Sequence, residues 1–182
     1  MRRLLVCTAL LATAGTVFAQ GGGQAGSKPA PASPPETATG TVGGKSVSIA
    51  YSAPRVKGRE GKVYGKDGLI ATAHGSQYPI WRAGANSATT LKTDGDITLG
   101  DLHVPAGSYT LFVDISDADS WTLIVNKKTG EWGLAHDPSQ DLGKVKMMMS
   151  KPASMVEDLT WTVGDGKLTL AWENEAGSVP AN

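Results

Sequence analysis

A guanidinium, a carboxamide and several hydroxyls sit close together in the segment Trp81-Arg82-Ala83-Gly84-Ala85-Asn86-Ser87-Ala88-Thr89-Thr90. The planar fork of an arginine matches the oxygens of a carboxylate or phosphate, and amides and hydroxyls add the donors and acceptors that grip a sugar. The competing structural reading is a small-residue turn that Asn86 stabilises through backbone bonds, with Arg82 packed along Trp81. A second basic group, Arg55, Lys57 and Arg59, precedes Gly61 and Gly65. If the fold carries this loop against Arg82, several cations converge on an anion-sized site without a metal. If it does not, the same residues form a solvated edge loop whose charge discourages strand-to-strand aggregation.

The three histidines, His74, His103 and His136, lie far apart and form no pair at helical or strand spacing. No metal site is therefore expected, although ligands can converge from separate loops. His136 and Asp137 are neighbours, but neighbours in a strand point to opposite faces, and no partnered nucleophile accompanies them. A solvated loop is the expectation there. Of the tryptophans, Trp121, Trp161 and Trp172 fall in line with the apolar faces of their strands and read as core. Trp132, followed by Gly133, is the best candidate for an exposed stacking surface. Met147, Met148 and Met149 are consecutive, so in a strand they cannot share a face to bind copper.

The elements that must position these groups repeat with period two. Val47, Ile49 and Tyr51 alternate with Ser46, Ser48 and Ala50, and Tyr109, Leu111, Val113 and Ile115 alternate after the turn Pro105-Ala106-Gly107, so both read as strands with one buried face. Trp121, Leu123 and Val125 continue the pattern and pair with the Tyr109 run as a hairpin. A second hairpin joins Leu159, Trp161 and Val163 to Leu168, Leu170 and Trp172 through Gly164-Asp165-Gly166. Asp94-Gly95 predicts a like turn between Leu91 and Ile97. Only Ser154 to Asp158 suggests a short helical turn. Many short strands with frequent turns predict an all-β fold, an antiparallel β-sandwich or jelly-roll-like single domain.

Met1-Arg2-Arg3, an apolar run from Leu4 to Val17, and Val17-Phe18-Ala19 read as a signal peptide over residues 1–19, with cleavage after Ala19. The run is shorter than the roughly 20 residues of a membrane span, so the mature chain is expected to have none and to be exported, to the periplasm or beyond the cell. Residues 20–44 are Gly-, Pro- and Ala-rich, with little apolar surface to offset ordering, and read as a disordered spacer. The domain is then expected over residues 45–174, with a flexible tail at 175–182. Cys7, the only cysteine, leaves with the leader, so neither disulfides nor thiolate chemistry remain. Basic and acidic residues balance at 17 each, and loss of Arg2 and Arg3 tips the mature chain acidic. With no dense Lys/Arg run, a nucleic-acid partner is not expected.

Four blocks carry a resemblance. These are Ser52-Ala53-Pro54-Arg55-Val56-Lys57-Gly58-Arg59, Trp81 to Thr90, Pro105-Ala106-Gly107-Ser108-Tyr109-Thr110-Leu111-Phe112, and Trp121 to Trp132-Gly133. In that order they resemble the bacterial domain-of-unknown-function family DUF2911 over most of the chain from about Ser46 to Glu173. The resemblance implies an exported β domain and carries no catalytic residues and no cofactor with it. The link from Gly65 to Pro79 is longer than the family's. Together the residues favour a non-enzymatic domain that binds a small anionic or carbohydrate ligand through Arg55, Arg59, Trp81, Arg82, Asn86 and Trp132. The alternatives are a hydrolase or lyase using a histidine with an acid in a cleft, and an envelope protein-interaction domain.

Overall fold

The computed structural model describes residues 31–130 and 136–182. The expected leader, residues 20–30 of the expected spacer, and Trp132 lie outside the described residues. The chain folds as an antiparallel β-sandwich with almost no helix. In chain order the strands are β1 (Pro35–Val42), β2 (Lys45–Ser52), β3 (Ile80–Trp81), β4 (Thr89–Thr93), β5 (Ile97–Leu99), β6 (Leu102–Val104) and β7 (Gly107–Asp114). They continue as β8 (Thr122–Asn126), β9 (Asp141–Lys146), β10 (Met148–Ser150), β11 (Val156–Gly164), β12 (Lys167–Glu173) and β13 (Glu175–Pro180). One helical turn, α1 (Leu69–Thr72), interrupts the long connection from β2 to β3.

A seven-stranded sheet has the order β1-β2-β4-β7-β8-β9, with β3 added beside β7, and a four-stranded sheet has the order β10-β13-β12-β11. The first sheet turns Ile49, Leu91, Leu111, Leu123 and Val125 inward, and the second meets them with Leu159, Trp161, Leu168, Leu170 and Val179. The period-two pattern produces this interlayer because each of those side chains falls on the same face of its strand.

Both hairpins read from the alternation form. β7 pairs with β8, and β11 pairs with β12 across Asp165 and Gly166, whose positive φ angles of 53° and 67° suit a two-residue hairpin loop. Three local expectations are corrected. Asp94-Gly95 does not close a hairpin, because β4 lies between β2 and β7 while β5 pairs with β6; Asp94 instead accepts from Ser46 N at 2.8 Å. Ser154 to Asp158 is not helical and feeds β11, the helical turn being α1 instead. The outer face of β7 is also not open to solvent. Thr110 and Phe112 are buried there, beneath the connection that carries Lys128 and His136.

The ordered domain is wider than 45–174 at both ends. Residues Pro35–Val42, expected as spacer, form β1 and pair along their whole length with β2, through Gly43 and Gly44 at φ 53° and 78°. Its face is small because β1 crosses β11 closely, with Gly40 against Val163. Residues Glu175–Pro180, expected as a flexible tail, form β13 in the interior of the second sheet, where Val179 is wholly buried. Both strands hold few large apolar residues. Close backbone approach and interior pairing stabilise them where side-chain bulk does not.

Candidate functional site

The two basic groups line one cleft of about 290 Å³. Arg55, Lys57 and Arg59 enter it from the loop after β2, and Arg82 enters from the turn after β3. Ser33 lies at the rim, and α1 supplies Leu69 and Ile70. Among the described residues, no histidine and no carboxylate lines it.

Arg82 is held by a turn that the core fixes from below. Ala83, buried and at φ 52°, offers its carbonyl to Trp161 Nε1 at 3.0 Å and to Thr89 Oγ1 at 3.0 Å. Gly84 accepts from Trp81 Nε1 at 3.1 Å, and Ala85 N donates to Ser52 O at 3.0 Å. A side chain at Gly84 would press on Thr89 Oγ1 and Ser52 O, so only glycine lets the turn lie this close. Indole N–H groups buried in the core need acceptors, and these carbonyls are what they find. The turn is thereby fastened to both sheets.

The Arg82 guanidinium is half-buried, and burial lowers its pKa from the ordinary arginine value. One of its N–H groups donates to Asn86 O at 2.9 Å. Among the described residues, no carboxylate forms an ion pair with it. Asn86, at φ 56°, does not face the cleft; its amide reaches Ser33 O at 3.4 Å, tying the turn to the segment before β1. The positive φ of Asn86 and the Arg82 bond to its carbonyl fit the turn reading, and Asn86, expected as a ligand contact, does not line the cleft.

Along the opposite rim, residues 54–56 pair with 157–159 at the edge of β11. Arg55 forms an ion pair with Asp158 at 2.7 Å, both side chains nearly half exposed. Arg59 bends back to donate to Val56 O at 2.8 Å and Arg55 O at 2.6 Å, which closes the loop and leaves further N–H donors for a ligand. Lys57 is exposed, with its backbone N–H on Glu157. Edge protection and charge gathering are both served by this loop.

The floor is apolar and aromatic. Trp81 stacks on Trp172 at 5.9 Å and 24°, and Tyr64 and Trp121 complete the group. Trp81 and Trp172 are buried, so they close the floor without presenting open faces for stacking. Tyr64 Oη donates to Trp172 O at 3.0 Å. Burial, then Glu173 and Glu175, pushes the Tyr64 phenol far above its usual range.

His136 does not line this cleft, although its backbone N–H donates to Gln77 Oε1, which does, and its side chain is not solvated. Its side chain is 7% exposed and places Nε2 2.8 Å from Asp141 Oδ1, itself 10% exposed. Asn126 Nδ2 donates to the same oxygen at 2.8 Å and to Asp137 O at 2.9 Å. His136 packs edge-on against Phe112. Asp141, five residues on and in another element, carries no cue in its local sequence. Asn126, a polar residue at the end of an apolar strand, was the available sign. His103 meets Asp96 at 3.2 Å on the exposed surface. Among the described residues no three His, Asp or Glu side chains gather as metal ligands, and no helix is long and apolar enough to cross a membrane.

The model of a protein family described as "Protein of unknown function (DUF2911)" matches residues 33–181. That span takes in β1 and nearly all of the chain after β13 begins. No curated protein and no solved structure matches the chain.

Proposed function

The chain belongs to the DUF2911 family, and from that premise we propose that it is an exported, non-enzymatic domain whose cleft binds a small anionic ligand. One observation carries the reading: four cationic side chains and no acidic one line the cleft, and the half-buried Arg82 has no carboxylate partner among the described residues. A half-buried charge without a counter-charge loses hydration without regaining an ion pair, and an incoming carboxylate or phosphate restores the balance. Asp158 engages Arg55, which leaves Arg59, Lys57 and Arg82 as the ligand's cations.

The sugar branch of the expectation finds less support. A sugar brings many donors and needs acceptors. Of the cleft's polar side chains, Ser76 Oγ already accepts from Tyr78 N and Gln77 Oε1 from His136 N. Histidine-based hydrolysis also finds no support in the cleft, because no histidine reaches it. Export rests on the leader-like residues 1–19.

The test is calorimetric titration of the purified protein with benzoate and with neutral benzamide, repeated on Arg82→Ala. Benzoate is expected to bind more tightly than benzamide. Loss of a charge-assisted bond worth about 1.5 to 3 kcal/mol should weaken benzoate roughly ten- to a hundredfold in Arg82→Ala. Equal binding of the two compounds, or an Arg82→Ala protein that binds benzoate as the parent does, would sink the proposal.

A further inference from the structure

We infer that the anion taken by this cleft is amphipathic: a carboxylate head at Arg82 and Arg59 carrying a short apolar body that lies over α1. The inference rests on the anion-binding reading above and adds the chemical class of the rest of the ligand.

The walls divide by chemistry. Cations come from two loops, whereas Leu69, Ile70 and Ala73 of the α1 segment, with Ile80, Trp81 and Trp172, form an apolar part of the lining. Leu69, Ala73 and Ile80 are only half-buried, so apolar area faces the cleft that a ligand could remove from water. Volume points the same way. A water molecule's share of the liquid is about 30 Å³, so a space of about 290 Å³ holds on the order of ten water-sized groups. A bare inorganic anion fills a small part of that and leaves the apolar walls wet. A carboxylate on several methylenes fills it and satisfies both walls.

The carboxylate is favoured as head by the geometry of the cations. A guanidinium grips a carboxylate with two parallel N–H bonds. Arg82 spends one N–H on Asn86 O, and Arg59 spends two on the carbonyls of its own loop, so each keeps a pair. Arg59's remaining donors are fixed in direction by those two bonds, and Arg82 is fixed by the turn beneath it.

Titration of the purified protein with acetate, butyrate, hexanoate and octanoate, and with hexanol, tests this. Each methylene buried should tighten Kd about fourfold until the cleft is full, and hexanol should bind at least about tenfold more weakly than hexanoate. Ala73→Leu fills part of the apolar wall and should end the gain at a shorter chain. Leu69→Ala, the second variant, should lower the ratio of hexanoate to acetate affinity, with thermal unfolding confirming that each variant is folded. Acetate and octanoate binding alike would overturn the inference and leave the anion site standing. Hexanol binding as tightly as hexanoate would overturn both readings, as would no binding by any anion. A chain-length gradient that neither variant alters would place the apolar body elsewhere and overturn the inference.

Discussion

Gly40→Ala puts one methyl group where β1 crosses β11, in a segment whose composition reads as spacer. An ideal Cβ at this position would lie 2.3 Å from Val163 O, 2.8 Å from Val163 Cγ1 and 3.0 Å from the Val163 carbonyl carbon. Ordinary contact begins near 3.5 Å, so the two strands must part by about 1 Å, and the obstacle is backbone that no rotamer change can move. Overpacking of this kind costs about 1 to 3 kcal/mol. For a domain of this size about 2 to 4 °C of Tm accompanies each kcal/mol, which gives a loss of roughly 2 to 12 °C. Alanine also stiffens the unfolded chain by about 0.4 to 1 kcal/mol relative to glycine, so the reference is Gly164→Ala, where a Cβ meets nothing within 4 Å and φ is not positive. The difference in Tm between the two variants isolates the crossing. Thermal unfolding by circular dichroism reads it. If Gly40→Ala melts with Gly164→Ala or above it, β1 does not lie on β11 and the segment belongs to the spacer after all.

Two further outcomes follow from the packing. Deletion of residues 175–182 removes β13 from between β10 and β12, strips the ladder bonds from both neighbours and leaves the space of the wholly buried Val179. The truncated chain should lose its cooperative melting transition; retention of a sharp transition at the parental Tm would restore the flexible-tail reading. Tyr64→Phe removes the bond to Trp172 O and should cost about 1 kcal/mol at neutral pH. Because burial raises the Tyr64 pKa, the folded state favours the protonated phenol. Its contribution is full below the free value of 10.0 and is lost as pH rises beyond it. The stability gap between parent and Tyr64→Phe should therefore shrink on titration from neutral to alkaline pH, measured by urea unfolding; a constant gap would show that the phenol is not buried as described.

Where large apolar residues alternate, the fold was legible. Tyr109 to Ile115, Trp121 to Val125, Leu159 to Val163 and Leu168 to Trp172 all became strands with the expected faces inward. Among the strands that escaped notice, β1 and β13 are those in which packing needs small residues. Thr37, Thr39 and Thr41 alternate with Ala38, Gly40 and Val42, a pattern of period two whose inward face is nearly bare because Val163 is so near. In β13, Ala176, Gly177 and Val179 give an equally weak signal, though neighbours on both sides bury the strand. Composition registers side-chain bulk and is blind to backbone pairing. The same blindness hid His136, whose partner Asp141 lies beyond a turn and whose burial depends on Phe112 from the far side of a sheet.

The candidate site was legible in its residue types and illegible in its shape. Arg55, Arg59, Trp81 and Arg82 meet in the cleft, Asn86 stands behind it, and the floor from α1 had no periodicity to announce it. What the structure adds is the reason these groups can stay in place. Trp161 and Thr89 bond Ala83 O, and Trp81 bonds Gly84 O, so the same contacts that satisfy buried donors in the core also fasten the turn that carries Arg82. Arg59 is tied by its own loop, and that loop is tied to β11. Ordering a free side chain on binding costs about 0.5 to 1.5 kcal/mol, and much of that ordering has been done during folding. A cleft with only a handful of polar contacts can then hold a small anion usefully, because little of the interaction is spent on arranging the cations that make it.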